Sequence, residues 1–301
     1  MPEGDVVWRA ARQLDDALTC RVLTRTDFRV PRYATTNLTG GTVVGTVSRG
    51  KHLLTRVDSG QTIHTHLRMD GSWRILAAGG PPPGDYRVRL VLANDRWQAI
   101  GRLLGVVEVL PTRNEERVVG HLGPDLLGPD WDAAEAVRRL QAKPDRPAGE
   151  ALLDQRNLAG IGNVYQAEVL FLRGIDPWRP VGAISDLAAL VELARRLLEA
   201  NRNRVGRVTT GMTGRGQETW VYGRQGRPCR RCGERIRSSG PGGWTSGPAR
   251  GTRTSGPARG FRAGGPAGGG RASPAEQPDE RSTFWCPRCQ PAPPASLGWP
   301  G

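Results

Sequence analysis

Pro2 and Glu3 are the residues of this chain best suited to covalent chemistry. A residue as small as proline at position 2 permits removal of the initiator methionine. That leaves a free secondary amine beside a carboxylate. An α-amino group titrates near pH ~8, roughly two units below a lysine, so at neutral pH it is far more often the unprotonated nucleophile. A secondary amine that attacks an aldehyde-level carbon gives a permanently cationic iminium, a strong electron sink. The alternative is that Pro2 is an ordinary start residue.

Of the 43 basic residues only Lys51 and Lys143 are lysines. Such a bias fits a GC-rich genome. A lysine kept against it marks a place where a deprotonatable amine matters, because guanidinium cannot shuttle a proton. Lys143, in Ala-Lys-Pro-Asp-Arg-Pro, reads as solvated surface. Lys51, between Gly50 and an apolar run, reads equally as surface or as a functional amine.

Cys229-Arg-Arg-Cys232 and Cys286-Pro-Arg-Cys289 are two Cys-x₂-Cys knuckles, the pattern of a closed, structural Cys₄ zinc site. Their 53-residue separation is long for a zinc ribbon, and a low-complexity insert accounts for the excess. Cys20 is left over and is expected to be a small buried hydrophobe. In Arg281-Ser-Thr-Phe-Trp285, a short strand, the arginine would stand near the hairpin end of a ribbon. It is either surface decoration or a group that enters a DNA groove.

Leu158-Ala-Gly160-Ile-Gly162-Asn163-Val-Tyr165 joins two helices. Its glycines permit close backbone approach, and the following helix start offers free N–H groups to a phosphate. Asn163 would either cap that helix or donate its amide to the phosphate. A plain helix–helix turn capped by Asn163 is the equal alternative.

The elements that must position these groups follow from periodicity. Residues 6–18 carry apolar side chains at helical spacing. Short β-type runs follow: 21–26, 42–48, 52–58, 61–66, 72–76, 86–93, 97–100 and 105–110. Gly, Pro and Asn/Asp turns separate them, which suggests a β-sandwich. Helices are expected at 131–140, 148–155, 162–172 and 185–201, the last with Ser185 as N-cap. Residues 238–280 hold a nine-residue tandem near-repeat in polar, Gly-rich sequence and read as a disordered insert. The tail after Gln290 reads as loose.

The chain has 301 residues, 37% hydrophobic content and a formal charge of +14, which points to a polyanionic partner, nucleic acid first. No stretch reaches the ~18 continuous apolar residues of a membrane span. The N-terminus lacks the apolar run of a signal peptide. The chain is therefore expected to stay in a reducing cytoplasm.

Taken together, these residues resemble the formamidopyrimidine-DNA glycosylase/endonuclease VIII family of base-excision repair. The strings that carry the resemblance are Met1-Pro-Glu-Gly4, Arg49-Gly-Lys-His-Leu-Leu54, His64-Thr-His-Leu-Arg-Met-Asp-Gly71, Leu153-Asp-Gln155, Gly160-Ile-Gly-Asn-Val-Tyr165 with Glu168, Val221-Tyr-Gly-Arg224, the first knuckle with Gly233, and Phe284-Trp-Cys-Pro-x-Cys-Gln290. They cover the chain except the insert and the tail. The resemblance implies an α+β multidomain fold. A catalytic β-sandwich with flanking helices (1–124) leads to a helix–two-turn–helix DNA-binding domain (125–214). A zinc finger (215–290) and a flexible tail (291–301) complete it.

It implies a monomeric, nucleoid-associated bifunctional glycosylase/AP lyase whose partner is damaged DNA and whose Zn²⁺ is structural. Pro2 would attack C1′ of a flipped nucleotide, and Glu3 would protonate the sugar ring oxygen. Lys51 would assist proton transfer or phosphate stabilisation. Asn163 and Arg281 would grip the flanking phosphates, and Met69 would fill the vacated stack. Cys229, Cys232, Cys286 and Cys289 would hold the metal.

The chain also departs from the pattern. Pro-Glu-Gly, rather than Pro-Glu-Leu, resembles the endonuclease VIII branch. Val6 stands where relatives often have glutamate. The purine branch has Arg and Phe in the turn before Gly101, a turn that reads Trp97-Gln-Ala-Ile100 here. Only Gly211–Trp220 separate Thr210 from Val221, too few for a long lesion-capping loop. These departures lean the reading towards oxidised pyrimidines. A non-catalytic binder of damaged or single-stranded DNA is the second reading. A zinc-ribbon transcription or ribosomal factor would explain only the cysteines.

Overall fold

The structure, a computed structural model, describes residues 2–81, 84–239 and 282–292. Helix α1 (Gly4–Leu18) forms because Val7, Ala10, Ala11, Leu14 and Leu18 line one face, and all are buried. At its end the chain reverses at Cys20, which adopts a left-handed φ of 60°. Its N–H donates to the Val43 carbonyl at 2.9 Å. Cys20 is therefore exposed rather than buried as expected. The reversal also displaces the first strand: Val22 forms only an isolated bridge to Thr42, and β1 spans Arg25–Phe28.

Two four-stranded antiparallel sheets follow. One has the order β1-β6-β7-β5, with β5 at Ser72–Ala77, β6 at Val88–Ala93 and β7 at Trp97–Arg102. The other has the order β2-β3-β4-β8, with β2 at Val43–Arg49, β3 at His52–Val57, β4 at Gln61–His66 and β8 at Val106–Pro111. Helix α1 packs on strands of both sheets. Leu14, Leu18, Leu53, Ile63, Leu90 and Leu92 form the core of this sandwich. Trp97–Ile100 is not a turn. It lies inside β7, paired with β5 on one side and β6 on the other, and the actual turn is Leu103-Leu104-Gly105.

Helices α2 (Glu116–Val119), α3 (Ala133–Gln141), α4 (Ala148–Leu153), α5 (Asn163–Leu172) and α6 (Leu187–Asn201) build the second layer. The N-cap of α6 is Asp186, not Ser185: its carboxylate accepts from the Ala189 N–H at 2.8 Å. Helix α5 is buried from Asn163 to Phe171, which explains its weak amphipathicity. Tyr165, Val169 and Leu170 face the helical core. Ala167 and Phe171 face Val221, Cys229, Ile236 and Cys286 of the C-terminal ribbon. That ribbon pairs β9 (Arg237–Ser239) with β10 (Thr283–Trp285). Arg281 and the 240–280 part of the expected insert lie outside the described residues, as do residues 293–301 of the tail.

Candidate active site

The start of the chain is fixed by the turn before α5. The Gly4 N–H donates to the Gly160 carbonyl at 2.8 Å. The Glu3 carboxylate, fully buried, accepts from the N–H groups of Gly162 (2.9 Å), Val164 (2.8 Å) and Tyr165 (3.4 Å). The positive end of α5 thus faces a side-chain carboxylate rather than an external phosphate. Gly162 is required because a Cβ there would lie 2.6 Å from the Glu3 Cδ. Gly160 sits at φ +100°, a conformation other residues rarely adopt. Gln155 shapes the same turn: it accepts from the Gly160 N–H and donates to the Ile161 carbonyl, at 3.1 and 3.0 Å.

Asn163 is therefore not the cap of α5. Gly162 holds the cap position, and Glu3 supplies the acceptors. The Asn163 side chain is buried, and its Oδ1 has no hydrogen-bond partner among the described residues. Pro2 is half-buried beside Glu3.

Lys51 lies in the two-residue turn closed by the Arg49–His52 pair of β2 and β3. Gly50 takes the left-handed φ of +56° that such a turn demands. Its N–H donates to Asp125 Oδ2 at 2.7 Å, and a Cβ on it would lie 3.1 Å from the Ala159 Cβ. The Lys51 turn therefore rests on the same 159–160 segment that holds the chain start. Burial pushes the Asp125 carboxyl up, against the pull of the Gly50 and Leu127 N–H donors.

Beside this turn stand the chain's four histidines. The His52 Nδ1 and His64 Nε2 are 2.9 Å apart, and His64 Nδ1 meets Glu108 Oε2 at 3.0 Å. His66 and His121 pack edge-on against His52, with ring centres 4.9 and 6.3 Å away. Burial first, then neighbouring imidazoles and Arg68, lowers His52 to about 2. Burial, then Arg68 and Lys51, lowers His66 to about 3. Sequence reasoning missed this cluster. The register around the Asp58-Ser-Gly60 turn, which pairs His52 with His66, is the signal that reveals part of it.

Met69 is 56% exposed in the turn between β4 and β5. The neighbouring β7–β8 turn exposes Leu103 at a left-handed φ of 48°. The two turns touch, since a Cβ on Gly105 would meet the Arg68 side chain at 2.1 Å.

The residues that join the parts carry no role that their local spacing reveals. Asp5 is buried and accepts from Tyr165 Oη at 2.9 Å and from both sides of the Arg207 fork. Glu168, also fully buried, accepts from Thr209 Oγ1 and from the N–H groups of Trp220, Val221 and Tyr222, tying the 209–222 segment to α5. Burial pushes its carboxyl up while these four donors pull it down.

The four ribbon cysteines converge with all sulfurs within 4.8 Å of one another. The Cys229–Cys289 and Cys232–Cys286 Sγ pairs stand at 3.9 and 3.5 Å. Bonds of about 2.3 Å to a tetrahedral Zn²⁺ put sulfurs roughly 3.8 Å apart, so the cluster fits a metal ion. A backbone N–H from Glu234 lowers the Cys232 thiol to about 7, while burial pushes the Cys286 and Cys289 thiols up. Gln290 locks the second knuckle: it accepts from the Cys286 N–H at 2.9 Å and donates to the Ile175 carbonyl at 2.8 Å.

Comparison with known proteins agrees with this architecture. Residues 1–100 match the formamidopyrimidine-DNA glycosylase N-terminal domain, and residues 122–207 match the formamidopyrimidine-DNA glycosylase H2TH domain. A probable endonuclease 8 2 of Streptomyces coelicolor is 52% identical, over 97% of this chain and 95% of that protein. The chain belongs to the formamidopyrimidine-DNA glycosylase/endonuclease VIII family. The DNA-(apurinic or apyrimidinic site) lyase Nei2 of Mycolicibacterium smegmatis is 44% identical, over 97% of this chain and all of that one. A crystal structure of Lactococcus lactis formamidopyrimidine-DNA glycosylase, non-covalently bound to AP-site DNA, superposes with a TM-score of 0.69. It is 22% identical, over 96% of this chain and all of that chain. No helix among the described residues is long and apolar enough to cross a membrane.

Proposed function

We propose that this family member is a bifunctional DNA glycosylase/AP lyase of base-excision repair, acting on damaged DNA at the nucleoid as a monomer and favouring oxidised pyrimidines. The observation that carries the reading is the burial of Glu3 on the α5 N-terminus, which fixes a carboxylate beside the Pro2 amine. The relatives named for endonuclease 8 and AP lyase activity support it. The short 211–220 segment, too short for a long lesion-capping loop, supports the pyrimidine preference.

After removal of Met1, the Pro2 nitrogen forms a bond to C1′ of the flipped nucleotide and the C1′–base bond breaks, the base leaving with a proton. The proton that Pro2 loses is the one that leaves with the base, and a proton carried by Glu3 goes to the ring oxygen. The C1′–O4′ bond opens and the iminium forms. That cation acidifies the C2′–H. Loss of the proton expels the 3′-phosphate, and a second elimination expels the 5′-phosphate. Lys51, held on the Gly50 turn, assists proton transfer or steadies the lesion phosphate. Asn163 and Arg281 grip the flanking phosphates, and Met69 fills the stack.

Cys229, Cys232, Cys286 and Cys289 would hold Zn²⁺, which when bound cross-links the two knuckles of the ribbon. Borohydride added during reaction with an abasic-site duplex should trap a covalent adduct, because it reduces the iminium. Pro2→Gln, whose larger side chain also blocks methionine removal, should lose that adduct. Salt-sensitive binding with no adduct on any abasic or oxidised-pyrimidine substrate would instead identify a non-catalytic DNA binder.

A further inference from the structure

Arg207 lies outside every motif, in the segment that leaves α6, yet its side chain is only 16% exposed. Its Nε and Nη2 donate to the Asp5 carboxylate at 3.2 and 3.0 Å, a two-point fork. The guanidinium carbon stands 4.9 Å from the centre of the Tyr165 ring, and the Tyr165 hydroxyl donates to the same Asp5. The remaining Nη1 lies 4.0 Å from Glu3 Oε1. One guanidinium is thus wedged between two buried carboxylates in the first residues of the chain.

We propose that Arg207 and Asp5 are positioning residues for the Pro2–Glu3 pair, setting where the Glu3 carboxylate points and the charge that the Pro2 amine meets. Two carboxylates and one guanidinium leave a single net negative charge beside Pro2, the sign that favours a cationic iminium. Removing Asp5 would leave Arg207 balanced by Glu3 alone, with no net negative charge near the nitrogen that must itself become cationic. Removing Arg207 would leave two carboxylates without their shared cation, a field that favours the protonated, non-nucleophilic form of the nearby Pro2 amine. The groups facing Glu3 are Arg207, Asp5, Tyr165 and Tyr222. Burial holds both tyrosines well above the working pH range, so neither contributes a charge there.

The inference rests on the lyase reading, and the test separates the two. Single-turnover cleavage of an abasic-site duplex is followed against pH for the full-length chain, with borohydride trapping in parallel. Arg207→Gln should move the acidic limb of the profile, which marks loss of the Pro2 proton, upward by about one pH unit and slow the plateau about 10-fold or more. Asp5→Asn should move the same limb downward, and Arg207→Lys should restore part of the plateau. Duplex affinity should change less than about threefold throughout. Limbs that stay in place, or move in the same direction in both variants, overturn the proposal. If Arg207→Gln fails to fold in a thermal melt, Asp5→Asn and Arg207→Lys carry the same test. Absence of trapping by the unaltered chain would overturn the lyase reading itself.

Discussion

Glu3 and Gly162 compete for one space: a Cβ on residue 162 would lie 2.6 Å from the Glu3 Cδ and 2.9 Å from its Oε1. The carboxylate is seated only because residue 162 has no side chain. Gly162→Ala should therefore push Glu3 off the α5 N-terminus. Loss of the buried hydrogen bonds from Gly162 and Val164 should cost about 1–3 kcal/mol in a denaturant melt. If Glu3 is the proton donor, base excision should fall roughly 100-fold or more, read by single-turnover release of an oxidised pyrimidine. Near-normal excision would show that Glu3 is not needed in that place.

Asp125 should matter to catalysis through Gly50. Its carboxylate takes the Gly50 N–H at 2.7 Å and the Leu127 N–H at 3.1 Å, which fixes the turn that carries Lys51. Asp125→Ala leaves two donors without that acceptor. Lyase turnover should fall about 10- to 100-fold from misplacement of the lysine. Duplex affinity should change much less. A variant that loses stability but keeps full turnover would place Lys51 outside the chemistry.

The features legible in the sequence were those with local spacing. The paired Cys-x₂-Cys knuckles, the α1 stripe from Val7 to Leu18 and the α6 stripe from Leu187 to Leu198 depend on residues within a few turns of one another. What stayed hidden is joined across long stretches of chain. Glu3 meets residues 162–165, Asp5 meets Arg207, and Glu168 meets residues 209–222. The glycines at 160 and 162 did signal a close approach, but the group that approaches is the protein's own start, not a phosphate. Cys20 was misjudged because residue type says nothing of the left-handed reversal that turns it outward.

Removal of metal should act on the ribbon and, through Gln290 and α5, on the helices. The fit of the Sγ separations to a tetrahedral ion predicts about one zinc per chain by elemental analysis. Thiol-reactive mercurial plus chelator should release it. Duplex binding should be lost with it, while the far-UV signal of the sandwich and helices is largely kept. A chain that binds DNA unchanged after verified metal loss would make the ribbon dispensable for binding.

The exposed turn residues should act on DNA and not on folding. Met69 is exposed and adjoins the turn that carries Leu103. Met69→Ala removes apolar surface that only a partner buries, so the melting temperature should stay within about 1 °C of the parent, as a ΔΔG near zero requires. Affinity for a duplex with a stable abasic analogue should weaken about 10-fold, the loss expected for an unburied methionine side chain. Unchanged affinity would remove Met69 from the interface.

The histidine cluster predicts an acid-sensitive fold. Folding lowers His52 to about 2 and His66 to about 3, with burial the main cause in each. Below pH ~6.5 an unfolded imidazole takes up a proton that the folded one refuses. The unfolded state then binds more protons, so stability rises with pH and is lost progressively from about pH 6.5 downward. Between pH 7 and pH 5 the loss should be about 1–2 kcal/mol per histidine, less where the two rings share one proton. Melts across that window should show the slope, and His52→Gln should flatten it. A stability profile that is flat between pH 7 and pH 5, or equally steep in His52→Gln, would mean that these rings already carry protons in the folded chain.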